Sequence, residues 1–464
     1  DDAPRRKVDH STAGGKIIER MVGKNKIGEV IGDLVYSHHG LQDCIDMESG
    51  ETLSDRRDRN DVDIDYIQKR FYEIYPKSEF KEMVLEACKG LSEENCNIKT
   101  AVNSNRAFYV GMYERMMLSV LIDSDWSDTA AFSDGTSLPR GMSQSNLDSI
   151  WENAIENFNE HMRKLESDSS RKSVLNEQRN KISDMCLKAS KENCSRYRLT
   201  VPTGSGKTYS SLRFALNRAL KEHKRHIFYI APYNSILEQN ADEIRSAVGN
   251  DDYVLEHHCN VVYDDYKDAV RYRKLTERWS RPIVLTTAVQ ILNTLFSDEK
   301  SCIRRMYNLC NSVIIFDEVQ AIPVKCTDLF NLAVNFLSEF CNTTVVLCSA
   351  TQPSVAAKEE NEIMTCKEMA GNINQYDKYF KRTEIIDRTD EVLDGMKISD
   401  LRNFTLSSFK ENGSVLVVVN TKSIARKLYK SLKNDAADFG LYHLSTNMCP
   451  ENRDDVLKKI RNSL

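Results

Sequence analysis

No stretch of the 464 residues approaches the ~20 consecutive apolar positions that a membrane span requires, so no segment is read as crossing a bilayer. The opening DDAPRRKVDH lacks a basic region followed by an apolar core, which leads us to expect a cytoplasmic protein. None of the 13 cysteines falls in a CxxC pair, and they are scattered (Cys44, Cys88, Cys96, Cys186, Cys194, Cys259, Cys302 and others), so reduced, partly buried thiols are expected. There is no internal repeat and no low-complexity tract. An excess of basic charge is missing too: the formal net charge is −5, which leaves nucleic-acid binding open, since global charge does not report the sign of one groove. What is present is a globular composition, 41% hydrophobic and 29% charged, on a chain too long for one ordinary core.

Periodicity divides the chain. Residues 1–134 carry helical patterns at His10–Val22, up to Tyr36, Ile64–Tyr75, Glu79–Leu91 and Arg106–Leu121, with little β-branched alternation, and read as an all-α domain. From Asp123 to about Arg171 the sequence turns polar and turn-rich around one amphipathic helix, Leu147–Leu165, so residues 135–172 are read as a linker. Short β-type runs then alternate with helical ones: Tyr197–Val201, Ile227–Ala231, Ile283–Thr286, Val313–Phe316, Val345–Cys348 and Val415–Val419. That alternation predicts a parallel sheet in an α/β fold. The polar region Ala356–Asp400 places a boundary near Thr389, giving α/β lobes over 173–389 and 390–464.

The segment RYRLTVPTGSGKT passes from a strand through a Gly-rich turn into the helix Tyr209–Leu220. That is the setting of a phosphate loop: Gly204 and Gly206 let backbone N–H groups close on phosphates, Lys207 reaches the outer phosphates, and Thr208 offers a hydroxyl to Mg²⁺. The strict pattern has glycine where Val201 stands, and a chance turn opening a helix is the bland alternative. Downstream, the strand Val313–Phe316 ends in Asp317-Glu318-Val319-Gln320; one carboxylate can hold Mg²⁺ and the next can orient or deprotonate water. Alone, that pair reads equally as a solvated acidic turn. The strand Val345–Cys348 ends in Ser349-Ala350-Thr351, whose hydroxyls can link a nucleotide site to a neighbouring lobe. The ordered trio is far less probable by chance than any one member.

From about Leu175 to Leu464 these motifs resemble those of superfamily 2 helicases. The resemblance makes VPTGSGKT motif I, so that Thr203, Gly204, Ser205, Gly206, Lys207 and Thr208 bind ATP, with Mg²⁺ on Thr208 and Asp317; it makes Lys207, Asp317 and Glu318 catalytic, and Ser349 and Thr351 coupling residues. YIAPYNSILEQN and VLTTAVQILNTLF match nucleic-acid-contacting motifs, which implies Pro232, Tyr233, Asn234, Thr286, Thr287 and Gln290 along the strand; strand-end capping is the alternative for the two threonines. Gln178 is the position implied for reading adenine, against the plainer possibility of an exposed helical glutamine. VLVVVNTKSIARKLYKSL and LYHLSTNMCPENR look like the opening of a second RecA-like lobe. Such motors carry an arginine-finger motif late in lobe two, which is expected beyond Leu464, so the second lobe is expected to be incomplete.

Three of the nine histidines lie early: His10 in DHSTAGG and the pair His38-His39 in VYSHHGLQD. Neutral imidazoles suit divalent transition metals, and Asp123 or Asp125 in LIDSDWSD can supply a carboxylate, although an HH dipeptide is more often surface or capping chemistry. Ahead of this motor, DHSTAG, HHG and DxDW resemble the HD-type nuclease domain of the CRISPR-associated helicase–nuclease of type I interference systems. The resemblance implies a multidomain chain, an all-α HD-type domain followed by tandem RecA-like α/β helicase lobes. It implies metal on His10, His38, His39 and Asp125, with Asp123 as the alternative, the metal being Mn, Fe, Co or Ni. It further implies an earlier histidine and a His-Asp pair ahead of DHSTAG, so the first motif is expected to be lacking here.

Elsewhere, His257-His258-Cys259 imitates a metal cluster but is read as a loop between strands, and RYRKLTERWSR (271–281) suits either a phosphate backbone or a solvated helix face. The reading that follows is an ATP-dependent translocase on single-stranded DNA, coupled to a metal-dependent nuclease that degrades the non-target strand. By the resemblance an RNA-guided multisubunit surveillance complex recruits it. An RNA helicase with a metal phosphohydrolase domain and a nucleotide-gated binding module with inactive sites are the alternatives.

Overall fold

Every side chain of four short segments in the middle of the chain is buried, and these segments form the centre of a seven-stranded sheet. The strands are Arg196–Thr200 (β1), His226–Ala231 (β2), Val254–His257 (β3), Ile283–Thr287 (β4), Ser312–Phe316 (β5), Thr344–Ser349 (β6) and Lys367–Glu368 (β7). Their order is β3-β4-β2-β5-β6-β1-β7, and every pairing is parallel. Near-continuous apolar runs such as Ile227–Ala231 and Val313–Phe316 suit parallel strands, because helices must cover both faces. The two edge strands, β3 and β7, carry too few apolar positions to stand out in the sequence. The segment EHHCN, expected as a loop, thus begins inside β3, where Glu256 and His257 pair with Leu285 and Thr286 of β4; Cys259 lies outside the described residues.

This computed structural model describes residues 10–23, 26–39, 50–59, 63–102, 104–137, 141–167, 174–258, 275–350, 361–392, 395–433 and 439–463. They divide into two units, 1–381 and 382–464. In the first, the chain opens, among the described residues, with His10–Val22 (α1), Lys26–Ser37 (α2), Leu53–Asp58 (α3), Ile64–Ile74 (α4), Lys77–Ala101 (α5) and Arg106–Asp134 (α6). Then come Gln144–Ser167 (α7), Val174–Ser190 (α8), Lys207–Lys221 (α9), Asn234–Val248 (α10), Ala288–Phe296 (α11), Lys300–Arg304 (α12), Thr327–Phe340 (α13) and Asn374–Phe380 (α14). None of the described helices is long and apolar enough to cross a membrane.

One face of the sheet packs against α7, α8, α9 and α10, where Trp151, Phe158, Ile182, Phe214 and Ile244 meet Tyr197, Leu199 and Tyr229. The other is covered by α13 and by the front helices, with Ile98 of α5 and Tyr109, Met112 and Met116 of α6 in one cluster with Phe228, Ile314, Phe316 and Phe336. Two expectations are corrected here. The 135–172 segment is no mere linker, since α7 inserts Trp151, Ala154 and Phe158, all essentially inaccessible, into the lobe's core. Nor does the helical run end at Asp123. Asp123 is buried against the lobe, so tertiary contact outweighs the polar composition, and α6 continues to a left-handed C-cap at Gly135 (φ 63°). Part of the helical region, α5 and α6, therefore shares the lobe's core, while Ala13 and Ile17 of α1 pack with Ile64 of α4 in a cluster of their own, and all fall in one unit.

Residues 382–464 hold Ile398–Asn412 (α15), Lys422–Leu432 (α16) and Pro450–Ser463 (α17), and no strand among the described residues. Val415–Val419, expected as a strand, has no ladder partner among the described residues, and Leu416 and Val418 are exposed. A strand exists only through bonds to a neighbour, so β-branched composition did not suffice.

Trp151 tests the reassignment of α7, because its indole is buried and its Nε1 donates to Lys224 O at 2.9 Å. Trp151→Ala is expected to destabilise the first unit by about 3–5 kcal/mol in denaturant unfolding; a loss under ~1 kcal/mol would return α7 to the status of a linker.

Candidate functional site

Parallel strands bring all their C-terminal ends to one edge of a sheet, so the loops after β1, β2, β4, β5 and β6 gather there. After β1 comes the phosphate loop. Gly204 (φ 83°) and Gly206 (φ 82°) occupy left-handed conformations that a side chain would strain, and α9 begins at Lys207. The buried Ser205 hydroxyl has no hydrogen-bond partner among the described residues, as expected of a loop shaped around a ligand's acceptors.

Asp317 and Glu318 follow β5. The Lys207 ammonium donates to Glu318 Oε1, which brings the phosphate loop and the acid pair together. Asp317 Oδ2 accepts from the Tyr229 hydroxyl at 2.7 Å, and Oδ1 accepts from the Glu318 N–H at 3.0 Å. Tyr229, fully buried in β2, also meets the Thr208 side chain, so one phenol spans both residues expected to hold Mg²⁺. Sequence reasoning missed Tyr229 because it resembles any core tyrosine. It missed Arg179 as well, whose Nε on α8 donates to Gly204 O at 2.9 Å and latches the loop. Gln178 is buried one position earlier, about 100° around the helix, and is not the exposed glutamine of the bland reading. Thr203 stands exposed at the loop's entrance.

On the same edge Tyr233 is exposed and Pro232 and Asn234 are half-buried. The other three side chains expected along the nucleic acid make hydrogen bonds within the lobe. Thr286 is inaccessible and its hydroxyl donates to His257 O at 2.8 Å; Thr287 Oγ1 accepts from Gln290 N and caps α11; Gln290 Oε1 accepts from Arg305 at 2.8 Å. Thr286 and Thr287 are buried, while Gln290 is half-buried with its Oε1 on Arg305. Ser349 is buried at the end of β6, and its carbonyl accepts from Val201 N at 3.2 Å. Thr351 lies outside the described residues.

The second constellation is in the front helices. Gly15 lets the Tyr36 ring lie against α1, since a Cβ there would come within 2.5 Å of that ring. This close approach of α1 and α2 brings His10, at the start of α1, to His38 and His39, just past the end of α2. One ligand atom from each of His10, His38, His39 and Asp125 fits within 4.8 Å of the others. His38 Nδ1 donates to Val35 O at 2.6 Å, which leaves its Nε2 free to accept and facing His10 Nε2 at 3.4 Å; His39 Nε2 is 2.5 Å from His10 Nε2. A ring fixed by a backbone carbonyl, with its other nitrogen turned into a cluster, is how metal-binding histidines are held. Burial lowers the pKa of His38, and burial with the neighbouring His38 ring pushes His39 down to about 4, so both rings are neutral at physiological pH. The donor set thus fits a divalent transition metal. Asp123, the alternative ligand, is engaged elsewhere: it pairs with Arg304 and Arg278, each at 2.8 Å.

Burial holds the Asp317 carboxyl above the usual carboxylate range, against the opposing pull of the Tyr229 hydroxyl and the Lys207 charge. Such a group costs the folded state stability at neutral pH, and the cost fades as pH falls through its raised native value towards the ordinary ~4. The melting-temperature difference between nucleotide-free Asp317→Asn and wild type is therefore expected to shrink from pH 7.5 to 4.5. A difference that widens on acidification would contradict this electrostatic picture.

Residues 176–359 match the DEAD/DEAH box helicase family. The CRISPR-associated nuclease/helicase Cas3 of Haloferax volcanii is 30% identical over 182 residues, 34% of this chain and 19% of that protein. A putative CRISPR-associated nuclease/helicase Cas3 of Methanocaldococcus jannaschii is 24% identical over 258 residues, 53% of this chain and 35% of the relative. The chain thus spans only part of the relatives it matches. Among solved structures, T. fusca Cas3 with AMPPNP superimposes with a TM-score of 0.56 at 15% identity, over 99% of this chain and 56% of that one. A further CRISPR-associated protein gives 0.52 at 13% identity, over 97% and 55%. At those identities the structural likeness concerns the fold.

Proposed function

We propose, from the premise that this chain is a Cas3-like CRISPR helicase, that its α/β lobe binds MgATP to drive movement along single-stranded DNA and that its front helices form a metal-dependent nuclease acting on that strand. One observation carries the reading: a phosphate loop joined to an acid pair and a converging His₃Asp cluster fall in one compact unit, and α6, which packs on the lobe, carries Asp125 of that cluster.

In this reading Thr203–Thr208 would wrap the phosphates, Lys207 would exchange its Glu318 partner for the outer phosphates, and Thr208 and Asp317 would hold Mg²⁺. Glu318, released from Lys207, orients the attacking water or takes its proton. The exposed Tyr233 offers an aromatic face to a base, and Pro232 and Asn234 line the same edge. In the front cluster His10, His38, His39 and Asp125 are the ligands we assign. A bound divalent metal, Mn, Fe, Co or Ni, would supply Lewis acidity and a low-pKa water for phosphodiester hydrolysis. Residues 382–464 are assigned to the start of a second RecA-like lobe. The partners are the displaced non-target DNA strand and an RNA-guided CRISPR surveillance complex, met in the cytoplasm.

Lys207→Ala is expected to weaken nucleotide binding about ten- to hundredfold, the worth of one hydrogen bond to a charged group; unchanged affinity in a titration with fluorescent ATP would remove the phosphate-loop assignment. ATP hydrolysis should rise with single-stranded DNA and not with RNA, and stimulation by RNA alone would favour an RNA helicase instead. Mn²⁺-dependent cleavage of single-stranded DNA should disappear in His38→Ala, whereas cleavage that survives the change would place the nuclease elsewhere. Absence of both activities in the wild-type chain would favour a nucleotide-gated binding module.

A further inference from the structure

Asp125 belongs to the front cluster, yet the residues on either side of it in α6 are held by the motor lobe. Asp123 Oδ1 accepts from Arg304 Nε at 2.8 Å, and the Arg304 guanidinium lies over the Trp126 ring, 5.0 Å from its centroid. One side chain thus grips positions two before and one after the carboxylate. Arg304 and Asp123 are both buried, at 7% and 8% exposure, so the pair is shielded from the solvent screening that makes surface ion pairs weak. The main chain of Arg304 is fixed as well, its carbonyl accepting from the Ser119 hydroxyl of the same helix at 3.0 Å.

We propose that Arg304 is a positioning residue for the front metal site: through Asp123 and Trp126 it sets the rotation and height of α6 and thereby aims Asp125 at His10, His38 and His39. Positions 123, 125 and 126 span less than one helical turn, about 5.4 Å of rise, so a rotation of α6 that breaks the grip swings the Asp125 carboxylate with it. A carboxylate ligand needs its oxygen within a few tenths of an ångström of its place, so loss of an outer partner weakens metal binding without removing a ligand. The placement of Arg304 in α12, within the lobe that carries the phosphate loop, makes the metal site dependent on that lobe. Its neighbour Arg305 faces the other way, onto Gln290 and Thr294 of α11.

This inference rests on the metal-site reading above, and the test separates the two. Mn²⁺ is titrated into the full chain with the free-ion signal followed by electron paramagnetic resonance, alongside fluorescent ATP binding and thermal melting. Asp125→Asn is expected to weaken the site occupied in wild type; a wild-type chain indifferent to Asp125→Asn overturns the metal reading and this inference with it. Given that site, Arg304→Gln and Asp123→Asn are each expected to weaken Mn²⁺ about tenfold, the low end for a lost outer partner, with the double variant no weaker than either single one. ATP affinity should stay as in wild type, and Arg304→Lys, which keeps the charge on Asp123, should recover part of the loss. Wild-type Mn²⁺ affinity in folded Arg304→Gln overturns the positioning role and leaves the metal reading standing. Should Arg304→Gln fail to fold, Asp123→Asn decides by the same criterion, with unaltered Mn²⁺ affinity overturning the proposal.

Discussion

A parallel sheet cannot leave a face to water, because its strands are apolar on both sides, and in this chain the second face is covered in part by the helices that precede the lobe. Tyr109, Met112 and Met116 in the first half of α6 complete that layer, and the second half of the same helix carries Asp123 and Asp125. One helix is thus both a wall of the lobe's core and a support of the front cluster. Two features go with this shared packing: the front helices and the lobe form one unit, and Asp123, two positions before Asp125, pairs with Arg304 of the lobe.

The nucleotide edge shows the opposite economy, with several unfavourable arrangements held in one place. Glu318 sits in the left-handed region (φ 49°), a conformation that costs a residue with a side chain on the order of 1 kcal/mol or more. Asp317 is ionisable and buried, and Ser205 has an unpaired hydroxyl. The strand ends on which these residues stand are fully buried and hydrogen-bonded, so the surrounding sheet over-determines their positions. Latches from outside the motifs contribute: Arg179 on Gly204, Tyr229 on Asp317, and Glu368 of β7 holding both the amide and the hydroxyl of Thr200 just before the loop.

Some of this was legible in advance for a definite reason. Gly204, Gly206, Lys207, Asp317 and Glu318 are adjacent in sequence within short motifs, and each motif follows an apolar run long enough to be recognised as a strand. What Thr286, Thr287 and Gln290 bond to was not legible in the same way: they fall in a motif-like stretch, but their partners, the His257 carbonyl, the Gln290 amide N–H and the Arg305 guanidinium, are set by the folded chain. The expected strand at Val415–Val419 failed similarly, since composition describes one strand and pairing requires two.

By itself, the sequence determined the order and identity of the local chemistry: where a backbone can take positive φ, which carboxylates end a strand, and which histidines are candidates for a metal. These depend on residues a few positions apart and on steric rules that need no tertiary context. Tertiary structure alone decided which of Asp123 and Asp125 faces the histidines, that α7 belongs to the core, that Tyr229 bridges Thr208 and Asp317, and that α5 and α6 pack into the core of the lobe. Each of these depends on contacts between residues tens to hundreds of positions apart, such as Asp123 with Arg304 or Trp151 with Lys224. No local pattern encodes which distant partner a buried polar group will find.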